Sequence, residues 1–225
     1  MTFDLPSHEI CAPFAPASLL AEVPLTATDI VVAKNAEDID RLPAFRCLTS
    51  LWINGVSEAA VNVVASLTSL RHLVIWNLRA ADLRLVSGLR NLERLAIVHS
   101  AKVRSLSGLE ALTSLRELIT FGSCNFASLE EIGCLSALDT LCLEGGFSKP
   151  LRVTSLSPLA GLTQLRRLRL ASIRVEDKSL RPLHGLAALR DVFVAKMFPA
   201  AELRALAKAL PEVQGEYVDE FRTAG

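Results

Sequence analysis

The chain has 225 residues, 51% of them hydrophobic, and its 24 basic and 24 acidic residues cancel to a formal net charge of zero. One elongated domain accounts for that length, and a chain without a net field makes a poor bulk partner for nucleic acid. No stretch approaches the roughly 20 uninterrupted apolar residues that span a bilayer; the opening MTFDLPSHEICAPFAP lacks a basic flank and an unbroken apolar centre, so the expected location is the cytoplasm, or outside it by export without a conventional signal peptide.

Residues 1–24 contain four prolines and no repeating pattern, and read as an irregular cap. Its Phe3, Leu5, Ile10, Phe14, Leu19 and Leu20 give it something to bury over the first coil. Leu25 to Val32, LTATDIVV, reads as an edge strand whose register is ambiguous by one residue. From Ile39 onward a frame of six positions recurs seven times, with apolar residues spaced by three and then, at the last step, by two. Its fifth position falls on Leu51, Leu73, Leu95, Leu118, Leu141, Leu168 and Val192, and of its 42 positions only Thr120 is not apolar. A step of three falls about 60° short of a full α-helical turn, so Leu83, Val86, Leu89, Leu92 and Leu95 would spiral off any one face. Period three suits 3₁₀ or polyproline-like segments, and the closing step of two is strand spacing. Each unit is then a short strand with a mostly non-α return, and such units bury their leucines only by stacking, strands side by side in a parallel sheet.

LxxLxxLxxLxL, as in VSGLRNLERLAI (86–97) and LSPLAGLTQLRRLRL (156–170), resembles leucine-rich repeats, in particular the short bacterial, internalin-type variety. The resemblance covers about 39–198 and implies an α/β horseshoe solenoid, with a concave parallel sheet and 3₁₀ or irregular convex segments. Where the family usually places Asn, three residues after the sixth position, this chain has Val56, Leu78, Ser100, Ser123, Gly146, Ile173 and Met197. Either hydroxyls and water satisfy those turns, or the turns differ. Extracellular members commonly seal their ends with clustered disulfides, whereas Cys11, Cys47, Cys124, Cys134 and Cys142 are odd in number and scattered, so all five are expected as free thiols in a reducing compartment. Cys134 is expected as a small buried hydrophobe.

Between the first two strands, VSEAAVNVVASL is the return most suited to a helical turn, with Ser57 as its cap. The longest interval contains an insertion at Glu144–Thr154, expected to protrude as a surface loop; it lacks the spacing of a phosphate-binding loop. From Pro199 the period changes: Leu203, Leu206 and Leu210 mark an amphipathic helix ended by Pro211, and EVQGEYVDEF suits a last strand. Three regions follow: a cap and edge strand over 1–38, seven repeats over 39–198, and a capping helix and tail over 199–225.

Strand alternation turns three columns of side chains away from the core. Ser50, His72, Arg94, Glu117, Thr140, Arg167 and Asp191 form the first. Trp52, Val74, Ala96, Ile119, Cys142, Arg169 and Phe193 form the second, and Asn54, Trp76, Val98, Phe121, Glu144, Ala171 and Ala195 the third. Cys142 and His72 are the best nucleophile and base, yet three strands separate them by about 14 Å, against the ~3 Å that proton transfer needs. Glu117 and Glu144 are spaced like paired carboxylates, but on an apolar face. No CxxC or CxxH pair suggests a metal, and no cofactor is implied. The expected function is therefore non-enzymatic: a protein-protein interaction module that binds an unidentified partner through Trp52, Val74, Trp76, Val98, Ile119 and Phe121, with Arg167, Arg169 and Phe193 beside them. Carbohydrate or peptidoglycan binding and homodimerisation through the same face are the alternatives.

Overall fold

In the computed structural model, residues 15–122, 124–146, 148–194 and 197–220 are described. The readings made for Phe3, Leu5, Ile10, Cys11, Phe14, Ser123 and Ala195 lie outside them. Seven frame-centred strands form as expected: β3 (Ser50–Asn54), β4 (His72–Trp76), β5 (Arg94–Val98), β6 (Glu117–Phe121), β7 (Thr140–Glu144), β9 (Arg167–Ala171) and β11 (Asp191–Val194). They belong to a nine-stranded sheet completed on one side by β1 (Ala17–Leu19) and β2 (Asp29–Glu37). Every pairing is parallel, and the ladder brings each frame position opposite its equivalent, Leu51 to Leu73 to Leu95 to Leu118 to Leu141 to Leu168 to Val192. Burial follows the frame: all 42 positions are buried except Ile39 and Val61, which are partly so.

The returns are mainly 3₁₀ turns, at Arg84–Val86, Leu109–Ala111, Ser157–Gly161 and Arg181–Leu183 among others, as period three requires. The return after β3 holds a helix, α1 (Glu58–Ala65), whose cap is Ser57: its Oγ accepts the amide N–H of Ala60 at 3.3 Å. A shorter helix, α2 (Glu130–Gly133), precedes β7. Cys134, which follows it, is exposed rather than buried, because it lies between the frame residues Ile132 and Leu135 and points off the stack. Cys47, Cys124 and Cys134 are free thiols.

One feature of these turns was not read from the sequence. The residue two after the sixth frame position adopts positive φ in five coils, at Gly55, Asn77, His99, Gly122 and Ser172. The amides of the first four reach the last strand residue of the next coil, as His99 N–H does to the Phe121 carbonyl at 2.8 Å. At the usual Asn position, Ser100 is fully buried and its hydroxyl serves the turn twice, accepting the Leu78 amide and donating to the Val98 carbonyl, both at 3.0 Å. Val56, Leu78 and Ile173 bury apolar side chains there instead, so the turns are closed by backbone geometry more than by a side-chain ladder.

Three expectations are corrected. The edge strand begins at Asp29, because Pro24 to Ala27 form a turn and register is set by Ile30 and Val32, which bury themselves against Leu51 and Ile53. The insertion does not simply protrude: Leu151 and Val153 are buried in β8 (Leu151–Val153), which pairs in parallel with β10 (Ile173–Val175) in a second, two-stranded sheet. Among its described residues the tail contributes an isolated bridge from Gln214 to Asp191 in place of a last strand. At Gly215, where a Cβ would lie 2.0 Å from the Val192 carbonyl, it leaves the sheet for α4 (Glu216–Asp219).

Both ends of the core are closed. Asp38 takes the amides of Leu20 and Ala21 on its carboxylate at 2.9 and 3.0 Å, tying the cap to the first coil. At the other end α3 (Ala200–Ala209) starts after Pro199, as expected, and buries Leu203, Leu206 and Ala207. Its Glu202 carboxylate accepts the Leu180 amide at 2.6 Å and the Ser179 hydroxyl at 3.2 Å, fastening the helix to the last repeat.

Candidate functional site: the concave face of the sheet

Strand alternation separates the apolar residues into two bodies. The leucines fill the interior; on the opposite side of the sheet a second cluster forms from Val31, Trp52, Val74, Ala96, Val98, Ile119 and Cys142, with Trp76 and Phe121 packed against it. Six of the nine residues expected at the binding surface, Trp52, Val74, Trp76, Val98, Ile119 and Phe121, are thus brought together. Val31 was missed, because the ambiguous register of β2 hid which of its valines faces this side; it stands opposite Trp52.

Orientation agrees with the sequence reading, but exposure does not. Val74 and Val98 have no accessible surface, Ile119 has 2% and Trp52 7%, whereas Trp76 and Phe121 are half-buried. Part of the Trp52 cover is His72, packed edge-on with ring centroids 4.6 Å apart. That burial holds the His72 pKa below 6.5, with the Arg94 charge adding and Glu117 and Asp29 opposing.

An aromatic trio borders the cluster. His99, exposed and at φ 48°, lies between Trp76 and Phe121, each at a centroid distance of 5.5 Å. Gly122 makes room for it: a Cβ there would lie 2.3 Å from His99 Nδ1, and φ of +89° independently favours glycine. His99 escaped the sequence reading because its ring is placed by the positive-φ turn, not by strand alternation.

The polar side of the face is internally paired. Arg94 Nε lies 3.4 Å from the buried Glu117 carboxylate. Arg169 donates to Glu144 at 3.1 Å and spreads its guanidinium over the Phe193 ring at 4.3 Å. Glu117 and Glu144 are consequently charge partners of arginines, not a carboxylate pair. Arg167 donates to the Thr140 hydroxyl at 3.0 Å and keeps 45% of its side chain exposed, so it offers more open charge than Arg169. β5 and β6 lie between His72 and Cys142, and the thiol is buried, so the arrangement offers no nucleophile and base in reach. Among the described residues, no group of three His, Cys, Asp or Glu side chains could hold a metal ion, and no helix is long and apolar enough to cross a membrane.

The fold is that of a leucine-rich repeat solenoid, with a likeness to internalins. An internalin from Listeria monocytogenes, inlF, matches 85% of this chain and 61% of its own at 17% identity and a TM-score of 0.64, so the chain spans less than two thirds of that protein's length. A leucine-rich repeat protein of Leptospira interrogans matches 79% of this chain and 50% of its own at 17% identity, with a TM-score of 0.50. The mouse RP105/MD-1 complex supplies a third match, over 84% of this chain and 34% of that one, at 16% identity and a TM-score of 0.55. Comparison with protein-family models and with curated proteins finds no match. At these identities the likeness concerns the fold.

Proposed function

We propose that this chain is a non-enzymatic protein-recognition module that binds a partner protein on its concave face. The observation that carries the reading is the second apolar cluster. It lies across the sheet from the leucine core, so the stacking of the repeats does not account for it, and Trp76 and Phe121 at its edge keep part of their surface accessible. Trp76 and Phe121 form the accessible part of the surface, Trp52, Val74, Val98 and Ile119 its floor, and Arg167 and Arg169, the latter stacked over Phe193, its polar side. Two structures of the same fold support a protein ligand: one is described as RP105 with MD-1, the other as the plant peptide hormone receptor RGFR1 with RGF2. The test is affinity capture from source lysate with the wild type and with Trp52, Trp76 and Phe121 all replaced by alanine, the folding of the variant checked by circular dichroism. Loss of specific partners from a folded variant supports the reading. Retention of every partner, or capture of glycans with no protein, contradicts it.

A further inference from the structure

Charges on the concave strands are paired, as Arg94 with Glu117 and Arg169 with Glu144, but the flank where the chain leaves those strands is different. Lys102, Arg104, Lys149, Arg152 and Arg174 are exposed there, and among the described residues none of the five has an ion pair. The segments that carry them, 100–109 and 145–175, and the segment 122–129 between them contain no Asp or Glu; Glu176 and Asp177 mark the border. The five cations form one surface. Lys149 Nζ donates to Asn125 Oδ1 at 2.8 Å, and the Asn125 amide donates to the Val103 carbonyl, between Lys102 and Arg104, at 3.0 Å. β8 and β10 then set Arg152 directly beside Arg174, both outward, because Leu151, Val153, Ile173 and Val175 are buried. From Arg104 to Arg174 is three coil steps, or about 14 Å.

Like charges on facing residues of neighbouring strands work against the pairing, and Lys149 and Arg152 both arrive on the insertion that makes this coil longer than its neighbours. The chain gives up stability to hold positive charge at this place. We propose that the flank is a second binding surface, for an acidic segment of a protein partner in extended conformation. Guanidinium groups fork onto carboxylates, and alternate side chains of an extended segment stand about 6.8 Å apart on one side, so two or three acidic residues reach across the flank. Every described Leu, Val, Ile and Phe in these segments is buried. The flank therefore presents neither a phenyl ring on which a base would stack nor an apolar side chain that would enter a bilayer, which favours a peptide over nucleic acid or a membrane. The inference goes beyond the concave reading: β8 and β10 form a sheet of their own, so a ligand here leaves Trp76 and Phe121 open, and a concave partner is bound without these arginines.

The test is fluorescence anisotropy with the full chain and a labelled peptide carrying glutamate at alternate positions, compared with the same peptide carrying glutamine. The glutamate peptide is expected to bind at least tenfold more tightly, and Arg152→Glu to weaken it at least tenfold. Arg90→Glu, an equal change of net charge at an exposed residue on the return before β5, should stay within twofold. Arg174→Glu separates binding from folding. It sets a carboxylate beside Arg152, so it should lose the peptide to the same extent while raising Tm. Equal binding of the two peptides, an equal loss in the Arg90 variant, or a lower Tm in the Arg174 variant would overturn the proposal. So would tighter binding to phosphatidylserine vesicles or to single-stranded DNA than to the peptide, or self-association of the unliganded chain that Arg152→Glu abolishes.

Discussion

Thr120 is the frame position whose residue type breaks the rule, and its cost is visible. It is 1% exposed, in the ladder between Ile97 and Leu143, and its hydroxyl has no hydrogen-bond partner among the described residues. Burying such a group costs roughly 1–3 kcal/mol, so Thr120→Val should stabilise the protein by about 1 kcal/mol, seen as a rise of about 2–4 °C in Tm. A lower Tm would show that the hydroxyl is satisfied. His72 makes a second, pH-dependent prediction. Its folded pKa is lowered, chiefly by burial, so as pH falls below 6.5 the unfolded chain takes up the proton first. His72 therefore costs nothing above pH 6.5 and lowers stability as pH drops toward its folded value. Urea midpoints of wild type and His72→Gln should diverge on acidification in favour of the variant. Parallel pH profiles would exclude His72 as the source.

Among the elements, the strand column is the firmest feature. Leu73, Leu95, Leu118 and Leu141 are 0–1% exposed and stand in register on neighbouring strands. Leu95→Ala removes a side chain held from both sides of the ladder, and should lower unfolding free energy by about 2–5 kcal/mol; an unchanged denaturation midpoint would refute the packing. This column was legible because an interval of two after a run of threes repeats seven times, and only a stacked strand meets both spacings. The Ser57 cap and the helix after Pro199 were legible for the same kind of reason, a local residue pattern with a local cause. What escaped depends on contacts between distant residues. β8 and β10 exist because Leu151 and Val153 find Ile173 and Val175, some 22 residues away, and neither triplet carries a strand signal alone. The positive-φ column is filled by Gly, Asn, His and Ser, too varied to announce itself. Alternation showed which way Trp52 and Val74 face but not how far their neighbours, such as His72 against Trp52, bury them.

At the scale of the whole molecule, the solenoid holds one apolar cluster on its concave side, bordered by Trp76, His99 and Phe121 and by the Arg94–Glu117 and Arg169–Glu144 pairs. On the proposed reading the leucines make the frame and the second cluster the binding surface, so damage to the two should be separable: frame variants change stability, surface variants change affinity. The most direct test is the dissociation constant for a captured partner, measured for wild type, Trp76→Ala, Phe121→Ala and the control Arg152→Ala, whose exposed side chain lies on β8 in the second sheet. Truncating a central aromatic of a binding surface commonly costs about 2 kcal/mol, so the two concave variants should bind at least about tenfold more weakly and the control within about twofold of wild type. Equal affinities for the concave variants and the wild type, with the loss falling on the Arg152 variant instead, would contradict the account.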